Sequence, residues 1–170
     1  YSQMLKDEVA LSREKMKKIN LKLIARSVVD DFNSIYEAKR GIKIILNDRN
    51  KQEEYLINGI ENRIEQIIAN LLDNSISFSD NNKKILVEIS KDEKERIILK
   101  VIDEGKGFKE TSTTKIFDRF YSNRPDAFGE HSGLGLNIVK NLVDLHGATI
   151  NASNNIMQKG ANVEIVFPKA

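Results

Sequence analysis

Cysteine and tryptophan are absent from this chain of 170 residues, and only two prolines occur in it. Without cysteine there is no disulfide framework and no thiolate metal site. No apolar run reaches the roughly 18 residues that a membrane-spanning helix requires, so no such helix is expected. An excess of one charge is also lacking. The 27 basic residues are mixed with 25 acidic ones, which argues against an electrostatic nucleic-acid binder.

The composition that is present is that of one globular domain with its own core, at 40% hydrophobic and 31% charged residues. The chain starts at Tyr1 without methionine or a signal peptide, so we expect it to be part of a longer protein. Residues 1–18 are strongly helix-forming. Within and just after them, the alternating spacings of four and three that are typical of a coiled-coil seam connect Leu5, Val9, Ser12, Met16 and Ile19. The end of an ordinary amphipathic helix is the alternative interpretation.

The remaining pattern predicts alternating helices and strands. Asn20 is predicted to cap a helix that runs to about Ala38 and ends at Gly41. The inward residues of this helix are expected to be Leu23, Val28, Phe32 and Ile35. A strand, IKIIL, follows. After a polar stretch comes a helix over about residues 62–78, and then a hairpin of KILVEIS and RIILKVID. A long polar segment, the helix GLNIVKNLVDLHG and a hairpin of ATINASNN with NVEIVFP complete the chain. This order predicts a two-layer α/β sandwich with a mixed, largely antiparallel sheet covered by helices on one face.

The helix over about residues 62–78 carries two stripes. The apolar stripe predicts the core-facing side, formed by Ile64, Ile67, Ile68, Leu71, Leu72 and Ser75. The polar stripe lies on another face, because residues three and four apart stack along a helix, and contains Asn70, Asp73, Asn74 and Ser77. Amide oxygens on such a face can hold Mg²⁺ beside phosphates. A solvated polar surface is the alternative interpretation.

The stretch VIDEGKGF at residues 101–108 takes a carboxylate from the end of a strand into a turn with two glycines. Asp103 at that place can accept a hydrogen bond from the exocyclic amine of adenine, whereas guanine would present a carbonyl oxygen. Gly105 and Gly107 would let the backbone pass close to a flat base. A tight turn after a strand is the alternative.

Two further glycines, Gly133 and Gly135, lead directly into the helix of HSGLGLNIVKNL. Free N–H groups at a helix start can cradle phosphate, although a plain helix start would show the same pattern. Neither a P-loop nor the dinucleotide-binding glycine fingerprint is present.

The segment at residues 109–132 separates the two glycine patches. It contains IFDRFY, in which Arg119 stands beside the apolar anchors Phe117, Phe120 and Tyr121. A long segment of this kind is typical of a lid over a nucleotide, or of a loop pinned to the core by its aromatic side chains.

The chain contains four patterns in the order Asn-x-x-x-Asn, Asp-x-Gly-x-Gly, Phe-x-x-Phe and Gly-x-Gly. Together they resemble the ATP-binding domain of sensor histidine kinases, and the resemblance covers about residues 19–168. The resemblance implies the family's two-layer sandwich of the Bergerat type, which gyrase-like ATPases and Hsp90-like chaperones share. It also implies ATP and Mg²⁺ as ligands. Residues 1–18 would be the end of a dimerisation helix, and residues 19–170 the catalytic domain, with its ATP lid at about 109–132.

Carried over by position, the resemblance implies that Asn74 is the main Mg²⁺ ligand, assisted by Asn70. Asp73 takes the acidic position of the box and Arg119 that of the lid arginine. The implied nucleotide-binding set is Asn70, Asn74, Phe78, Asp103, Gly105, Gly107, Phe117, Phe120, Ser132, Gly133, Leu134, Gly135 and Leu136.

The chain departs from the family pattern at three positions. Ser77 stands where many members have a phosphate-contacting lysine, which leaves Lys83 or Lys84 to compensate. His131 replaces a frequent first glycine, and Ala148 stands where a second glycine is common.

The activity implied is donation of the γ-phosphate of ATP to a histidine of a dimerisation domain, for relay to a response regulator. His131 and His146 lack the helical acidic context of that acceptor, so the acceptor is expected elsewhere in a membrane-anchored homodimeric parent, with this domain in the cytoplasm. An anti-sigma-factor-type serine kinase and a nucleotide-switched dimerisation ATPase are the alternatives. The long lid with its phenylalanines and the helical stub favour the histidine kinase.

Overall fold

The computed structural model describes residues 15–108, 117, 134–154 and 160–170. These residues form seven strands and three helices. In chain order they are β1 Lys17–Asn20, α1 Leu21–Arg40, β2 Lys43–Asp48, β3 Leu56–Gly59, α2 Glu61–Phe78, β4 Lys84–Lys91, β5 Ile97–Asp103, α3 Leu134–Leu145, β6 Thr149–Asn154 and β7 Ala161–Phe167.

A five-stranded sheet in the order β2-β4-β5-β7-β6 forms one layer of the domain. Its β2 and β4 are parallel, and the other neighbours are antiparallel. Along β5 and β7 the side chains alternate between buried and half-exposed, as expected for a sheet covered on one face. The three helices pack on the buried face, and the predicted mixed sandwich is confirmed.

Helix α1 starts and ends where the sequence predicts. The Asn20 side chain accepts a hydrogen bond from the Lys22 N–H, and Gly41 closes the helix in the left-handed conformation at φ 65°. The predicted inward face is correct at Val28 but wrong at Leu23 and Ile35, which are 59% and 49% exposed. The buried stripe instead consists of Leu21, Ile24, Ala25, Val28 and Val29, because Leu21 lies in the core directly after the cap.

A second, two-stranded sheet of β1 and β3 is absent from the predicted order of elements. Each of its strands has only four residues, too few for an alternating pattern to stand out. The helix predicted over residues 1–18 is wrong at its end, because Lys17 and Lys18 belong to β1 and pair with β3. Residues 1–14 lie outside the described part of the chain. In that described part, no helix combines the length and apolar character needed to cross a membrane.

Candidate nucleotide-binding site

Asp103, the last residue of β5, is the buried carboxylate of the site, with 2% of its surface exposed. Its Oδ1 accepts hydrogen bonds from the backbone N–H groups of Gly105, at 2.9 Å, and Ala161, at 3.1 Å. Burial raises the pKa of this carboxyl, and the hydrogen bonds from Gly105, Ala161 and the Ser75 side chain only partly offset that rise. Asp103 is therefore held in a fixed position while its charge is poorly compensated.

The two glycines after Asp103 are required by close contacts within the protein. A Cβ on Gly105 would lie 2.5 Å from the carbonyl oxygen of Phe78, at the end of α2. Gly107 has φ 77°, and a Cβ there would lie 2.5 Å from Oδ1 of Asn154. The Phe78 backbone leaves no room for a side chain at Gly105, and the left-handed conformation at Gly107 disfavours one there. The turn is thus fitted against α2 on one side and against β6 on the other.

Aromatic side chains line this turn. Phe78 meets Phe108 edge to face, with ring centroids 6.3 Å apart. Asn154 fixes the backbone of Phe108, because its Oδ1 accepts from the Phe108 N–H at 2.7 Å and its Nδ2 donates to the Phe108 carbonyl at 3.2 Å. Phe78, predicted to pack near the base, therefore lies beside the carboxylate turn in an apolar setting.

The polar stripe of α2 is not a uniformly solvated surface. Asn74 and Ser77 are only 6% and 4% exposed, whereas Asn70 and Asp73 are half-buried. Ser77 donates to the carbonyl oxygen of Asp73 at 2.8 Å, one turn back along the helix. The predicted core stripe is buried at every position, including Ser75. The burial of Asn74, next to Ser75 at the end of α2 nearest Asp103, argues against the interpretation of this stripe as solvated surface.

No group of three or more His, Cys, Asp and Glu side chains within the described residues could hold a metal ion. Asn70 and Asn74, one helical turn apart on α2, offer amide oxygens that could hold a cation together with phosphate oxygens. That donor chemistry suits Mg²⁺, which takes few protein ligands alongside phosphate oxygens and water. The residues present thus fit a nucleotide-bound magnesium ion.

The second glycine patch is described only in part. Helix α3 begins at Leu134, with Gly135 half-buried in its first turn. Leu136 is 5% exposed in the core, so a phosphate contact at that position would have to come from its main chain. Phe117 is also buried, and its carbonyl oxygen accepts from Asn137 at 3.4 Å. Outside the described residues lie Arg119, Phe120, Ser132, Gly133 and the rest of the predicted lid at 109–132.

His146 lies buried between the end of α3 and the start of α2. Its imidazole is buried, with Nε2 3.2 Å from the Ile60 backbone N–H and Nδ1 2.7 Å from the Leu142 carbonyl oxygen. These partners suit a neutral ring that donates through Nδ1 and accepts through Nε2. His146 thereby joins the end of α3 to the start of α2. His131 lies outside the described residues.

Sequence reasoning missed several residues around Asp103, namely Ser75, Phe108, Asn154, Gly160 and Ala161. Ser75 was assigned to the apolar stripe, although its hydroxyl bonds to the carboxylate. A Cβ on Gly160 would clash with the carbonyl oxygen of Asp103. The one available signal was the glycine directly before the last strand, since a glycine there often marks a close backbone approach.

A family model described as histidine kinase-, DNA gyrase B-, and HSP90-like ATPase matches residues 59–170. Because this match covers more than half of the chain, the chain belongs to that family of ATP-binding domains. Within the family, its curated relatives are sensor histidine kinases. The family predicted from the four sequence patterns is confirmed.

Three relatives illustrate the likeness. The sensor protein ChvG of Agrobacterium fabrum is 33% identical over 159 residues, covering 90% of this chain and 26% of ChvG. The histidine-protein kinase ArlS of Staphylococcus aureus is 35% identical over 108 residues, covering 62% of this chain and 23% of ArlS. The catalytic domain of the histidine kinase ThkA has the same fold, with a TM-score of 0.78 and 24% identity over 92% of this chain and 97% of that domain. The chain spans about a quarter of the length of ChvG and ArlS.

Proposed function

We propose that this domain binds ATP with Mg²⁺ and presents the γ-phosphate to a histidine on the dimerisation domain of its parent protein, a membrane-anchored homodimeric sensor kinase. The phosphoryl group would then pass to a response regulator. The observation that carries the proposal is Asp103, a buried carboxylate with a raised pKa, held by two backbone N–H groups beside the polar end of α2. Such a group is stabilised when a ligand donor reaches it.

Each part of the site has a role in this proposal. The Asp103 carboxylate accepts from the exocyclic amine of adenine, and Phe78 and Phe108 supply the apolar wall. Asn74, with Asn70, would hold the Mg²⁺ ion, which when bound neutralises phosphate charge. The first turn of α3 offers backbone N–H groups to the phosphates. Phosphoryl transfer depends mainly on positioning and charge neutralisation, which this set of residues supplies.

The relatives support the partners in this proposal. The structure of ThkA in complex with the response regulator protein TrrA has a TM-score of 0.73 to this chain. Sensor histidine kinases among the curated relatives favour this function over a serine kinase or a dimerisation ATPase. We propose a cytoplasmic location for the domain, as the resemblance implies.

The test mixes this chain with a separate fragment carrying the histidine helices of a dimerisation domain and radiolabelled ATP. We expect acid-labile label on the fragment only when both proteins and Mg²⁺ are present. Asn74→Ala should abolish transfer with an unchanged circular dichroism spectrum, whereas Asn62→Ala, an exposed asparagine on the same helix, should be fully active. Acid-stable label would instead indicate a serine kinase, and label on this chain lost in His131→Ala would place the acceptor here.

A further inference from the structure

Arg40, the last residue of α1, donates hydrogen bonds to the end of α2 although it lies 36 to 41 residues away in the chain. Its Nη1 donates to the Ile76 carbonyl at 2.9 Å and its Nη2 to the Ser79 carbonyl at 2.6 Å. Its Nε donates to Oδ1 of Asn81 at 2.7 Å. One guanidinium group therefore holds three acceptors from three residues around Phe78.

Helix α2 supplies no cation of its own at this end. Its last turn contains no basic residue, and its closing residue Ser79 donates only locally, through its N–H to the Ile76 carbonyl and through its hydroxyl to the Ser75 carbonyl. A helix C-terminus carries partial negative charge and unpaired carbonyl groups, so a cation placed there is favourable. Arg40 supplies that charge from a neighbouring helix.

The end of α2 is also where the site is assembled. Ser75 bonds to the Asp103 carboxylate, and the Phe78 carbonyl lies against Gly105, which leaves no room for a side chain. Gly105 in turn donates to Asp103. A shift of the last turn of α2 would therefore move both the hydroxyl and the backbone that hold the carboxylate.

We propose that Arg40 is a positioning residue for base recognition: by clamping the Ile76 and Ser79 carbonyls it fixes the last turn of α2 against the Asp103 turn. The proposal rests on the proposed function, in which Asp103 reads adenine. Lysine would replace arginine only in part here, because a single ammonium group lacks the planar fork that reaches three acceptors at once.

The test measures ADP and GDP affinities by titration calorimetry in wild type, Arg40→Ala and Arg40→Lys. We expect Arg40→Ala to weaken ADP binding by about tenfold, the size of effect typical for losing a charged hydrogen bond, with little change for GDP. Arg40→Lys should fall between wild type and Arg40→Ala. The matched control is Arg96→Ala, which removes an arginine paired with Asp92 in the β4–β5 hairpin and should leave both affinities unchanged.

A second measurement needs no nucleotide. Amide hydrogen exchange should become faster at Gly105 and Ala161 in Arg40→Ala, but not at Leu99 in the middle of β5. If the ADP-to-GDP ratio and both exchange rates stay at wild-type values while the unfolding midpoint drops, Arg40 only stabilises the fold and the inference is wrong.

The same experiments separate this inference from the proposed function. If Asp103→Asn leaves the ADP-to-GDP ratio unchanged, adenine reading by Asp103 fails, and the exchange rates still decide whether Arg40 holds the turn. If Arg40→Ala does not fold, Asn81→Ala removes one of the three acceptors and should shift the ratio and the exchange rates in the same direction by less. Wild-type values in Asn81→Ala and Arg40→Lys together would overturn the inference.

Discussion

Two aspartates are the last residues of strands in the same sheet, at opposite ends of it, and their carboxylates have opposite surroundings. Asp48 is the last residue of β2 and Asp103 the last residue of β5. Because β2 is parallel to β4 and β5 is antiparallel to it, the two carboxylates lie at opposite ends of the sheet. One end joins the sheet to the start of α1, and the other contains the candidate site.

The carboxylate of Asp48 is fully provided with donors. Lys22 donates to its Oδ2 at 2.8 Å, Gln52 donates its backbone N–H to Oδ1 at 3.3 Å, and the buried Tyr55 donates its hydroxyl to Oδ1. Burial alone would raise the pKa of Asp48, but the hydrogen bonds from Lys22, Tyr55 and Gln52, together with the charge of Lys22, outweigh it and lower the pKa. This carboxylate is stabilised in its charged form.

Asp103 has the reverse balance. Burial raises its pKa, and among the residues that the structure describes it has no lysine or arginine partner. Several donors thus accompany a structural role at Asp48, whereas Asp103 is fixed in place with fewer compensating partners, as the proposed role in binding adenine requires. Both residues are the last residue of a strand, so their position in the strand does not distinguish them. The difference lies in the hydrogen-bond and charge partners of each carboxylate.

The largest expected effect is on nucleotide binding. Asp103→Asn keeps an oxygen for the Gly105 and Ala161 N–H groups but turns the ligand-facing acceptor into a donor that opposes the adenine amine. We expect ATP affinity to fall by about 1–3 kcal/mol and the preference for ATP over GTP to be lost. Asp48→Asn should bind both nucleotides with wild-type affinity. Titration calorimetry at a temperature below the unfolding midpoint of each variant measures this.

That expectation has a clear counter-result. Wild type that binds GTP as tightly as ATP would remove Asp103 from base selection. Weakened ATP binding in Asp48→Asn, with Asp103→Asn unaffected, would invert the assignment of the two carboxylates.

The next effect is on stability, and it reverses the order of the two variants. Asp48→Asn leaves Lys22 and Tyr55 with a poorer partner, so we expect it to lower the free energy of unfolding at neutral pH by about 1–3 kcal/mol. Asp103→Asn removes a buried, poorly compensated charge and should lose less or gain stability. Urea unfolding of the three proteins measures this. A larger loss in Asp103→Asn would contradict it.

Much of the fold was predictable from local signals. The asparagine cap and closing glycine of α1, the apolar stripe of α2 and the two hairpins are each encoded by neighbouring residues. The β1–β3 sheet was not predictable, because each short strand is recognised only through its pairing with the other. The inward face of α1 failed for a related reason, since Leu21 and Ile24 follow the cap so closely that Leu23 suggested an equally good helical stripe.

Residues of the candidate site were predictable where they belong to one short sequence motif. They were not predictable where distant segments of the chain contribute them. Asp103, Gly105 and Asn74 stand out as polar or small residues in places that need an explanation. Ser75 looked like one more core position, and the Ala161 N–H and the Arg40 guanidinium have no local signature. These groups matter only because the fold brings them to Asp103 and the end of α2.

A smaller effect is the pH dependence of stability, which should have opposite signs at the two aspartates. The pKa of Asp48 is lowered on folding, so its contribution is present above the unfolded pKa of about 3.9 and is lost as pH falls through the folded value. The pKa of Asp103 is raised, so its contribution is present below the unfolded pKa and is lost as pH rises through the folded value.

Urea unfolding at several pH values between about 3 and 7 tests both signs. The stability difference between wild type and Asp48→Asn should shrink as pH falls, and that between wild type and Asp103→Asn should become less favourable to wild type as pH rises. Equal slopes for both pairs would show that the two carboxylates have the same balance of partners.

The smallest expected effect concerns the Ser75 hydroxyl. Removing it tests whether a side-chain hydrogen bond stabilises the Asp103 carboxylate in addition to the hydrogen bonds from backbone N–H groups. Ser75→Ala keeps the side chain small enough for its buried place in α2 and removes one hydrogen bond to Asp103. The pKa of Asp103 should therefore rise further, and ATP affinity should fall by about 0.5–1.5 kcal/mol. Ser34→Ala is the matched control, because Ser34 is an exposed helical serine on α1 whose hydroxyl bonds to the Asp31 carbonyl. An NMR titration of the Asp103 carboxyl carbon and calorimetry with ATP measure both quantities. An unchanged pKa and unchanged affinity in Ser75→Ala would mean that the backbone N–H groups alone set the state of this carboxylate.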